Sequence, residues 1–396
     1  MQSSFDMIFD RSDNQTMKWD AERQRTGNPD LLCFGTADMD FQSPYPVRRA
    51  VRQTADIGHF GYPLVDNAYY SAIEQWLTRI AGWKIDARKC VSNNVGIYTS
   101  IWCLIDALTD PGDEIIIQQP VHFCFEQMIR LNGRAAVVNP LICKNNRYEM
   151  DFEQLESCFT NKTKVFWLCN PHNPVGRAWT AEELKQLADI CIRHGVRVIS
   201  DDVYCGMTFE DKQYTPISVV SPEISQNTVI CYSTSKIYNT TGLKHSFIVS
   251  ENPALVEAYN RSLSKLDLDY GQNMIGIAVT KAALNECDVW VRDLMRYIEA
   301  NYTYVSEFVS EKMPDLSVAV SDATYFAWLD CTALEMTAEE RKSFFEKDAQ
   351  VLIGLGEGLG TGGAGHIRMN LGCRKAVLEE GMNRIYQAYL SYKQKI

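Results

Sequence analysis

Short apolar runs rich in β-branched residues recur through the middle of the chain, and amphipathic stretches with helical spacing lie between them. The runs predict six buried strands, at residues 114–118, 135–138, 164–169, 196–200, 228–232 and 247–250. Strands that alternate with helices are typical of a mainly parallel sheet covered on both faces. The pattern therefore predicts an α/β fold for this part of the chain.

Helical spacing is clearest at residues 95–108, where the apolar positions share one face: Ile97, Ile101, Leu104, Ile105 and Leu108. A second helix is predicted to start at Thr180, because Thr180 and Glu183 have the spacing of a capping box ahead of an apolar stripe. Further helices are predicted at residues 47–55 and 376–392.

The pattern changes after about residue 285, where a helix, short strands and a closing helix follow one another. This order predicts a smaller α+β domain at residues 286–396, beside a large domain at 51–285. Residues 1–50 are predicted to pack with the small domain. A chain of 396 residues has the length of two such domains.

Composition describes a globular protein, with 46% hydrophobic and 22% charged residues. Fifty acidic and 39 basic residues give a net charge of −11, which argues against nucleic-acid binding. No apolar run reaches the ~18 residues of a membrane span, and the N-terminus has no basic and apolar signal pattern. The 13 cysteines include no Cys-x-x-Cys pair and the six histidines lack zinc spacing, so we expect a reduced cytoplasmic protein without a metal.

Candidate chemistry begins with the stretch Ser233-Thr-Ser-Lys236, which follows the predicted strand at 228–232. Lys236 can form a Schiff base, and Ser233, Ser235 and Lys244 can hold a phosphate. The alternative is an ordinary loop with a solvated lysine.

Polar residues also follow two other predicted strands, at the sheet edge where ligands bind in this class of fold. Asn173 lies in a turn rich in proline, and it can donate to a phenolate oxygen or simply face solvent. Asp201 ends a buried strand, where an acid needs a cation such as a protonated pyridine nitrogen. Tyr204 can reach the same ring, whereas helix capping by Asp201 or Asp202 is the alternative.

Three further positions suit an anionic, aromatic ligand. The amides of Val95 and Gly96 open a predicted helix and form an anion site, although plain capping is compatible with this position. His122 can stack on an aromatic ring or serve as a packing residue. Arg368 can clamp a carboxylate, unless it is a surface arginine.

The stretch Gly358-Leu-Gly-Thr-Gly-Gly363 matches Gly-x-Gly-x-x-Gly. It precedes a predicted strand rather than a helix, so we expect a glycine loop bordering the site and no dinucleotide site.

Together these residues resemble the fold-type I pyridoxal-phosphate enzymes of the aminotransferase class I/II superfamily. More narrowly, the chain resembles the MalY/PatB group of cystathionine β-lyases. The narrower resemblance rests on an ordered set of motifs: Phe5-Asp-Met-Ile-Phe-Asp-Arg11, Met17-Lys-Trp-Asp20, Ala37-Asp-Met-Asp-Phe41, Phe60-Gly-Tyr-Pro63, Ala323-Thr-Tyr325, Trp328-Leu-Asp330 and the segments around Lys236 and Arg368.

The resemblance implies a pyridoxal 5'-phosphate cofactor and a role for each matching residue. It makes Lys236 the Schiff-base lysine and proton shuttle, places Asp201 on the pyridine nitrogen, and places Asn173 and Tyr204 on the ring hydroxyl. It assigns the phosphate to Ser233, Ser235, Lys244, Val95 and Gly96. It also implies ring stacking by His122 and a substrate carboxylate on Arg368 and Asn173. Tyr62 is expected to act catalytically from a neighbouring subunit by reaching its phosphate, which implies a homodimer with shared sites.

Four positions depart from the group's pattern: His122 stands where Tyr is usual, Tyr204 where His is usual, Ser92-Asn-Asn-Val95 where Pro-Gly-Val-Val is typical, and Cys33-Phe-Gly-Thr-Ala37 in a segment usually rich in Pro and Trp. The resemblance implies a carbon–sulfur β-lyase acting on cystathionine- or cysteine-type amino acids. An aminotransferase is the alternative, because the same residues serve both reactions. A cofactor-binding regulator without turnover is disfavoured, since the chain has no room for a DNA-binding domain.

Overall fold

The computed structural model describes residues 4–11, 14–269 and 273–395. Its strands are β1 (Leu32–Cys33), β2 (Val91–Asn94), β3 (Glu114–Gln119), β4 (Ala135–Pro140), β5 (Ile142–Lys144), β6 (Arg147–Glu149), β7 (Thr163–Cys169), β8 (Arg197–Asp201), β9 (Thr228–Tyr232), β10 (Ser246–Val249), β11 (Ser317–Val318), β12 (Phe326–Asp330), β13 (Val351–Leu352), β14 (Gly354–Leu355) and β15 (His366–Asn370).

The α-helices are α1 (Glu22–Thr26), α2 (Tyr45–Asp56), α3 (Asn67–Ala81), α4 (Ala87–Cys90), α5 (Ile97–Leu108), α6 (Cys124–Leu131), α7 (Phe152–Ser157), α8 (Ala181–Arg193), α9 (Pro222–Gln226), α10 (Thr234–Ile237), α11 (Pro253–Ser264), α12 (Met274–Glu286), α13 (Asp288–Lys312), α14 (Ala338–Ser343) and α15 (Lys375–Lys393). Short 3₁₀ segments lie at Ser4–Asp6, Ile217–Val219, Thr241–Leu243, Thr332–Leu334 and Gly356–Leu359, and π-helical turns at Met17–Ala21 and Phe344–Asp348.

A seven-stranded sheet forms the centre of the molecule, in the order β2-β10-β9-β8-β7-β3-β4. The strands from β9 to β4 run parallel, and β10 is antiparallel to both β9 and β2. The predicted α/β class with a mainly parallel sheet is confirmed. Each of the six predicted strands is present, with its ends displaced by no more than two residues.

Side chains alternate between the two faces of this sheet, as a doubly covered sheet requires. On β3, Ile115 and Ile117 join an apolar cluster with α5 and α11, whereas Ile116 between them joins the cluster around α8. The capping box predicted for α8 is present, because the Thr180 side chain accepts from the Glu183 amide and the Glu183 side chain accepts from the Thr180 amide. Because helices pack on both faces of the sheet, the strand ends that carry the candidate residues are held in place.

A four-stranded antiparallel sheet, in the order β11-β12-β15-β14, lies in the C-terminal part of the chain with α13 and α15. The N-terminal segment reaches this region through β1, whose Leu32 pairs in parallel with Val351 of β13. Helix α2 continues across residue 50, where the sequence predicts a boundary. The division into residues 1–50, 51–285 and 286–396 stays a prediction.

Candidate active site

A cavity of about 420 Å³ opens at the carboxyl ends of β7 and β8, beside the first turn of α5 and the helix α10. A second cavity of about 770 Å³ adjoins it, and the two share Ala37, Tyr98, His122, Lys236 and Thr241. Of the residues predicted from the sequence, nine line the inner cavity: Val95, Gly96, His122, Asn173, Asp201, Tyr204, Ser235, Lys236 and Lys244. Arg368 lines the outer cavity.

Lys236 lies in α10, whose first turn is capped by the Ser233 hydroxyl. Its Nζ donates to the carbonyl oxygen of Ala37 at 2.8 Å. Burial and, to a smaller extent, the charge of the nearby Arg368 guanidinium together lower the pKa of Lys236 to about 8. A substantial fraction of this amine is therefore neutral near physiological pH, as a nucleophile or base must be.

Asp201 ends β8 in the wall of the inner cavity, where its carboxylate accepts from the Val203 amide at 3.3 Å. Burial raises the pKa of Asp201 to about 7. Among the described residues no salt bridge neutralises this carboxylate, although Lys236 lies close enough to lower its pKa slightly. A buried acid of this kind is suited to a cationic ligand group.

Arg368 extends from β15 toward the loop that carries Asn173. Its Nη1 donates to Asn173 Oδ1 at 3.1 Å and its Nη2 to the Gly35 carbonyl at 3.0 Å, while the guanidinium lies 4.2 Å from the centre of the Phe326 ring. Nε of this buried side chain has no hydrogen-bond partner among the described residues. The guanidinium is thus held in place at the wall of the outer cavity, and the substrate-carboxylate role of Arg368 and Asn173 stays a prediction.

Tyr204 is buried and its ring meets that of Tyr325 edge-to-face, with 5.6 Å between centroids. Burial raises the pKa of the Tyr204 hydroxyl, so this group is a neutral donor at physiological pH. The position of Tyr204 in the cavity wall beside Asp201 fits a contact with a ring bound there.

At the start of α5, where the sequence predicts an anion site formed by the Val95 and Gly96 amides, the structure differs in part from the prediction. The Val95 amide is not free, because it donates to the Asn94 side chain at 2.6 Å. Gly96, with φ of +131°, is the residue before the first turn of α5 and has no side chain between the helix end and the Lys244 aliphatic chain. A 12-residue helix directs its positive dipole end to this point.

The two serines of the lysine loop have different positions. Ser235 lines the cavity, whereas Ser233 lies behind it and donates to the His245 carbonyl at 2.6 Å. Their hydroxyl oxygens are 2.7 Å apart. Ser233 therefore supports Ser235, and of the two serines only Ser235 lines the cavity.

His122 follows β3, and its Nδ1 lies 2.9 Å from Cys124 Sγ. Burial, with smaller contributions from the Arg368 and Lys236 charges, lowers the pKa of His122 to about 3. The imidazole is neutral throughout the physiological range, which suits stacking on an aromatic ring better than proton transfer.

Tyr62 is not brought into the cavity. It lies in the segment between α2 and α3 and is 89% exposed. Its predicted contact is with the phosphate of a neighbouring subunit, and it stays a prediction.

Other residues contribute to the cavity without a clear sequence signal. Tyr98 stands at the junction of the two cavities, with its ring 6.4 Å from that of His122. Cys124 and Thr241 also line the inner cavity. Tyr98 and Cys124 each lie within two residues of a predicted site residue, Gly96 and His122 respectively, and this proximity is the one signal that the sequence offers for them. The Ala37 carbonyl belongs to the main chain, and side-chain identity carries no information about it.

The glycine loop at 360–363 packs against the end of β3, where the Thr361 amide donates to Gln119 Oε1 at 2.8 Å. It leads into strand β15, in agreement with the expectation that this stretch does not form a dinucleotide site. Within the described ranges no cluster of His, Cys, Asp and Glu side chains has a metal-binding arrangement. No helix in the same ranges has the length and apolar character of a membrane span.

Comparison with known proteins places this geometry in a family. Residues 29–385 match the model for aminotransferase class I and II, and the chain belongs to that family. It is 33% identical to cystathionine beta-lyase PatB of Bacillus subtilis (strain 168), over 97% of this chain and 99% of that protein. It is 29% identical to protein MalY of Escherichia coli (strain K12), over 97% of this chain and 98% of that protein.

Among solved structures, a PLP-bound putative aminotransferase from Clostridium difficile 630 has a TM-score of 0.93 and 33% identity, covering 97% of this chain and 99% of that one. The resemblance to the MalY/PatB group stated from the sequence motifs is confirmed by these matches.

Proposed function

We propose that this chain is a pyridoxal-phosphate-dependent carbon–sulfur β-lyase, which converts cystathionine- or cysteine-type amino acids to pyruvate, ammonia and a thiol. The observation that carries the proposal is that a half-buried lysine, Lys236, and a buried acid without a salt-bridge partner in the described chain, Asp201, line one cavity. The name cystathionine beta-lyase, carried by a relative that aligns over nearly the whole chain, supports this reaction class.

The donors and acceptors of the inner cavity fit pyridoxal phosphate. Its aldehyde requires an amine, which Lys236 Nζ supplies, and its pyridinium requires an acid, which Asp201 supplies. Asn173 and Tyr204 would hold the ring hydroxyl, and His122 would stack on the ring. Gly96, Ser235 and Lys244, at the helix end, would hold the phosphate. The bound cofactor supplies an electron sink for the charge left when a proton leaves the substrate Cα.

The protein's own residues then have separate tasks. Arg368 binds the substrate carboxylate and so fixes which substrate bond faces Lys236. With a pKa of about 8, Lys236 Nζ can accept the Cα proton, and the Ala37 carbonyl at 2.8 Å accepts a hydrogen bond from the resulting ammonium. With the substrate held in this orientation, the Cβ–S bond breaks and the sulfur substituent leaves as a thiolate.

An aminotransferase remains the second candidate, favoured by Tyr204 at a position where the lyase group usually has His. The test is to incubate the purified protein, supplied with pyridoxal phosphate, with cystathionine in the absence of any keto acid. We expect pyruvate and a thiol from the wild type, and neither product nor bound-cofactor absorbance from Lys236→Ala. Amine transfer that requires a keto acid, without pyruvate or thiol, would contradict the lyase proposal.

The quaternary arrangement is part of the proposal. Tyr62 is exposed and outside the cavity of its own chain, as a residue that completes a neighbouring subunit's site would be. We therefore infer a homodimer with shared sites, acting on a small amino acid in the cytoplasm.

A further inference from the structure

Three motifs that lie apart in the sequence meet in a single cluster of charges. Arg11 Nη2 is 2.8 Å from Asp38 Oδ2, and Arg11 Nη1 is 2.6 Å from Asp40 Oδ1. Lys18 Nζ lies 3.1 Å from the same Asp40 oxygen, to which Trp19 Nε1 also donates at 2.8 Å. We call these five residues the N-terminal ion cluster.

Burial makes the geometry of this cluster demanding. The Lys18 side chain is 0% exposed, and a buried ammonium is tolerated only where partners surround it closely. Its Nζ also donates to the Asp38 carbonyl at 3.0 Å, and Arg11 Nη1 donates to the Met39 carbonyl at 3.1 Å. The cluster therefore fixes the backbone of residues 38–40 as well as their side chains.

This backbone leads directly to the candidate catalytic lysine. The carbonyl of Ala37, the preceding residue, accepts from Lys236 Nζ at 2.8 Å and from the Tyr325 hydroxyl at 3.0 Å. From the opposite side, Asn239 in the lysine loop bonds to the Met39 amide at 3.0 Å and to the Met39 and Phe41 carbonyls at 2.9 Å. Residues 37–41 are thus held between the ion cluster and the loop that carries Lys236.

We propose that Arg11 and Lys18 are positioning residues for the Lys236 amine, which they place through residues 38–40 and the Ala37 carbonyl. The inference rests on the proposed function only for the role of Lys236. Neither residue lines the inner cavity, and Lys18, which borders the outer cavity, is turned into the ion cluster with its side chain 0% exposed, so their effect on Lys236 is transmitted by the main chain. Displacement of a reacting group by about 1 Å is enough to cost about 10²-fold in rate.

The test measures covalent attachment of added pyridoxal phosphate to the full-length chain stripped of cofactor, by borohydride trapping and mass spectrometry. For Lys18→Met and Arg11→Met we expect attachment at neutral pH to be at least about tenfold slower than in the wild type. The pH midpoint of attachment should also move upward, because the carboxylates that these cations neutralise then act more strongly on Lys236. Arg11→Lys should restore part of both effects, since it keeps the charge.

The matched control is Arg23→Met, which removes a cation from the same segment. The Arg23 guanidinium lies 4.9 Å from the Trp19 ring and has no hydrogen bond to residues 37–41. If the attachment rate and pH midpoint of Arg11→Met equal those of Arg23→Met, the inference is overturned. Arg11→Met is sufficient for this comparison if Lys18→Met does not fold. A wild type that attaches no cofactor would instead refute the proposed function.

Discussion

At the scale of single residues, the molecule holds two adjacent buried acids with different surroundings. Asp201 faces the cavity and has one amide as its hydrogen-bond donor, whereas Asp202 accepts from the hydroxyls of Ser200 and Tyr214. Burial raises the pKa of Asp202 to about 8 and that of Asp201 to about 7. The carboxylate that a ligand cation can neutralise is therefore Asp201, because hydroxyl donors already occupy Asp202.

The raised pKa of Asp201 predicts how the stability of the cofactor-free chain depends on pH. Since its pKa rises from 3.8 unfolded to about 7 folded, the folded chain binds more protons between these values, and stability falls as pH rises through that window. Asp201→Asn should flatten this dependence and give a higher Tm than the wild type at about pH 8. Thermal unfolding of both proteins at several pH values between the two pKa values measures this dependence of Tm on pH.

The control for this prediction is Asp293→Asn, since the Asp293 side chain is 50% exposed. Its curve should follow that of the wild type. A curve for Asp201→Asn that also runs parallel to the wild type, over the whole pH range, would show that Asp201 does not carry the effect.

At the scale of elements, a buried ion pair joins the loop that carries Asn173 to the segment that carries Tyr325. Arg177 Nε lies 2.9 Å from Asp322 Oδ2, and the Asp322 amide donates to the Gly176 carbonyl at 2.7 Å. Gly176 has φ of +71°, and a Cβ there would meet Ser321 Oγ at 2.0 Å, so glycine is required where the two segments touch. The cavity wall thus depends on contacts outside the cavity.

Asp322→Asn tests this connection. The Arg177 and Asp322 side chains are 2% and 1% exposed. The substitution removes the charge that pairs with Arg177 and, at 2.9 Å, with Arg147, while Arg177 keeps Glu183 at 2.7 Å, so we expect a loss of about 1.5–3 kcal/mol in the free energy of unfolding. Urea denaturation measures the loss. Asp189→Asn breaks the exposed pair between α8 residues Lys185 and Asp189 and should cost less than about 0.5 kcal/mol. Equal losses in the two variants would contradict the prediction.

At the scale of the whole molecule, the proposed dimer makes each site depend on two chains. If Tyr62 completes the partner's site, Tyr62→Ala and Lys236→Ala impair the same site from different subunits. Unfolding and refolding an equal mixture of the two inactive variants should restore about a quarter of wild-type activity, because half the dimers are mixed and carry one intact site of two. Each variant refolded alone is the control, and a mixture no more active than either would exclude a shared site.

The pattern of apolar residues along the chain was sufficient to predict the parallel strands, because strands buried on both faces have continuous apolar runs. It missed β2, because Val91–Asn94 is short, polar and bonded on one side only, to β10. Lys236, Asp201 and Asn173 were predictable, since polar groups at the ends of parallel strands share one edge. Other features depend on main-chain geometry or on contacts between distant residues, and a local sequence pattern contains neither. They are the hydrogen bond of the Val95 amide, the position of the Ala37 carbonyl and the pairing of Arg368 with Asn173.

The pairing of β1 with β13 has a consequence for the order of assembly during synthesis. Leu32 has its strand partner at Val351, and Asn370 donates to the Thr36 and Asp38 carbonyls, so the segment that carries Ala37 lacks these contacts until most of the chain has left the ribosome. The seven-stranded sheet, complete at residue 249, has no such dependence. A nascent chain can therefore build its scaffold early, while the Ala37 carbonyl gains its second donor, the Tyr325 hydroxyl, only after the strands of the smaller sheet begin to be made.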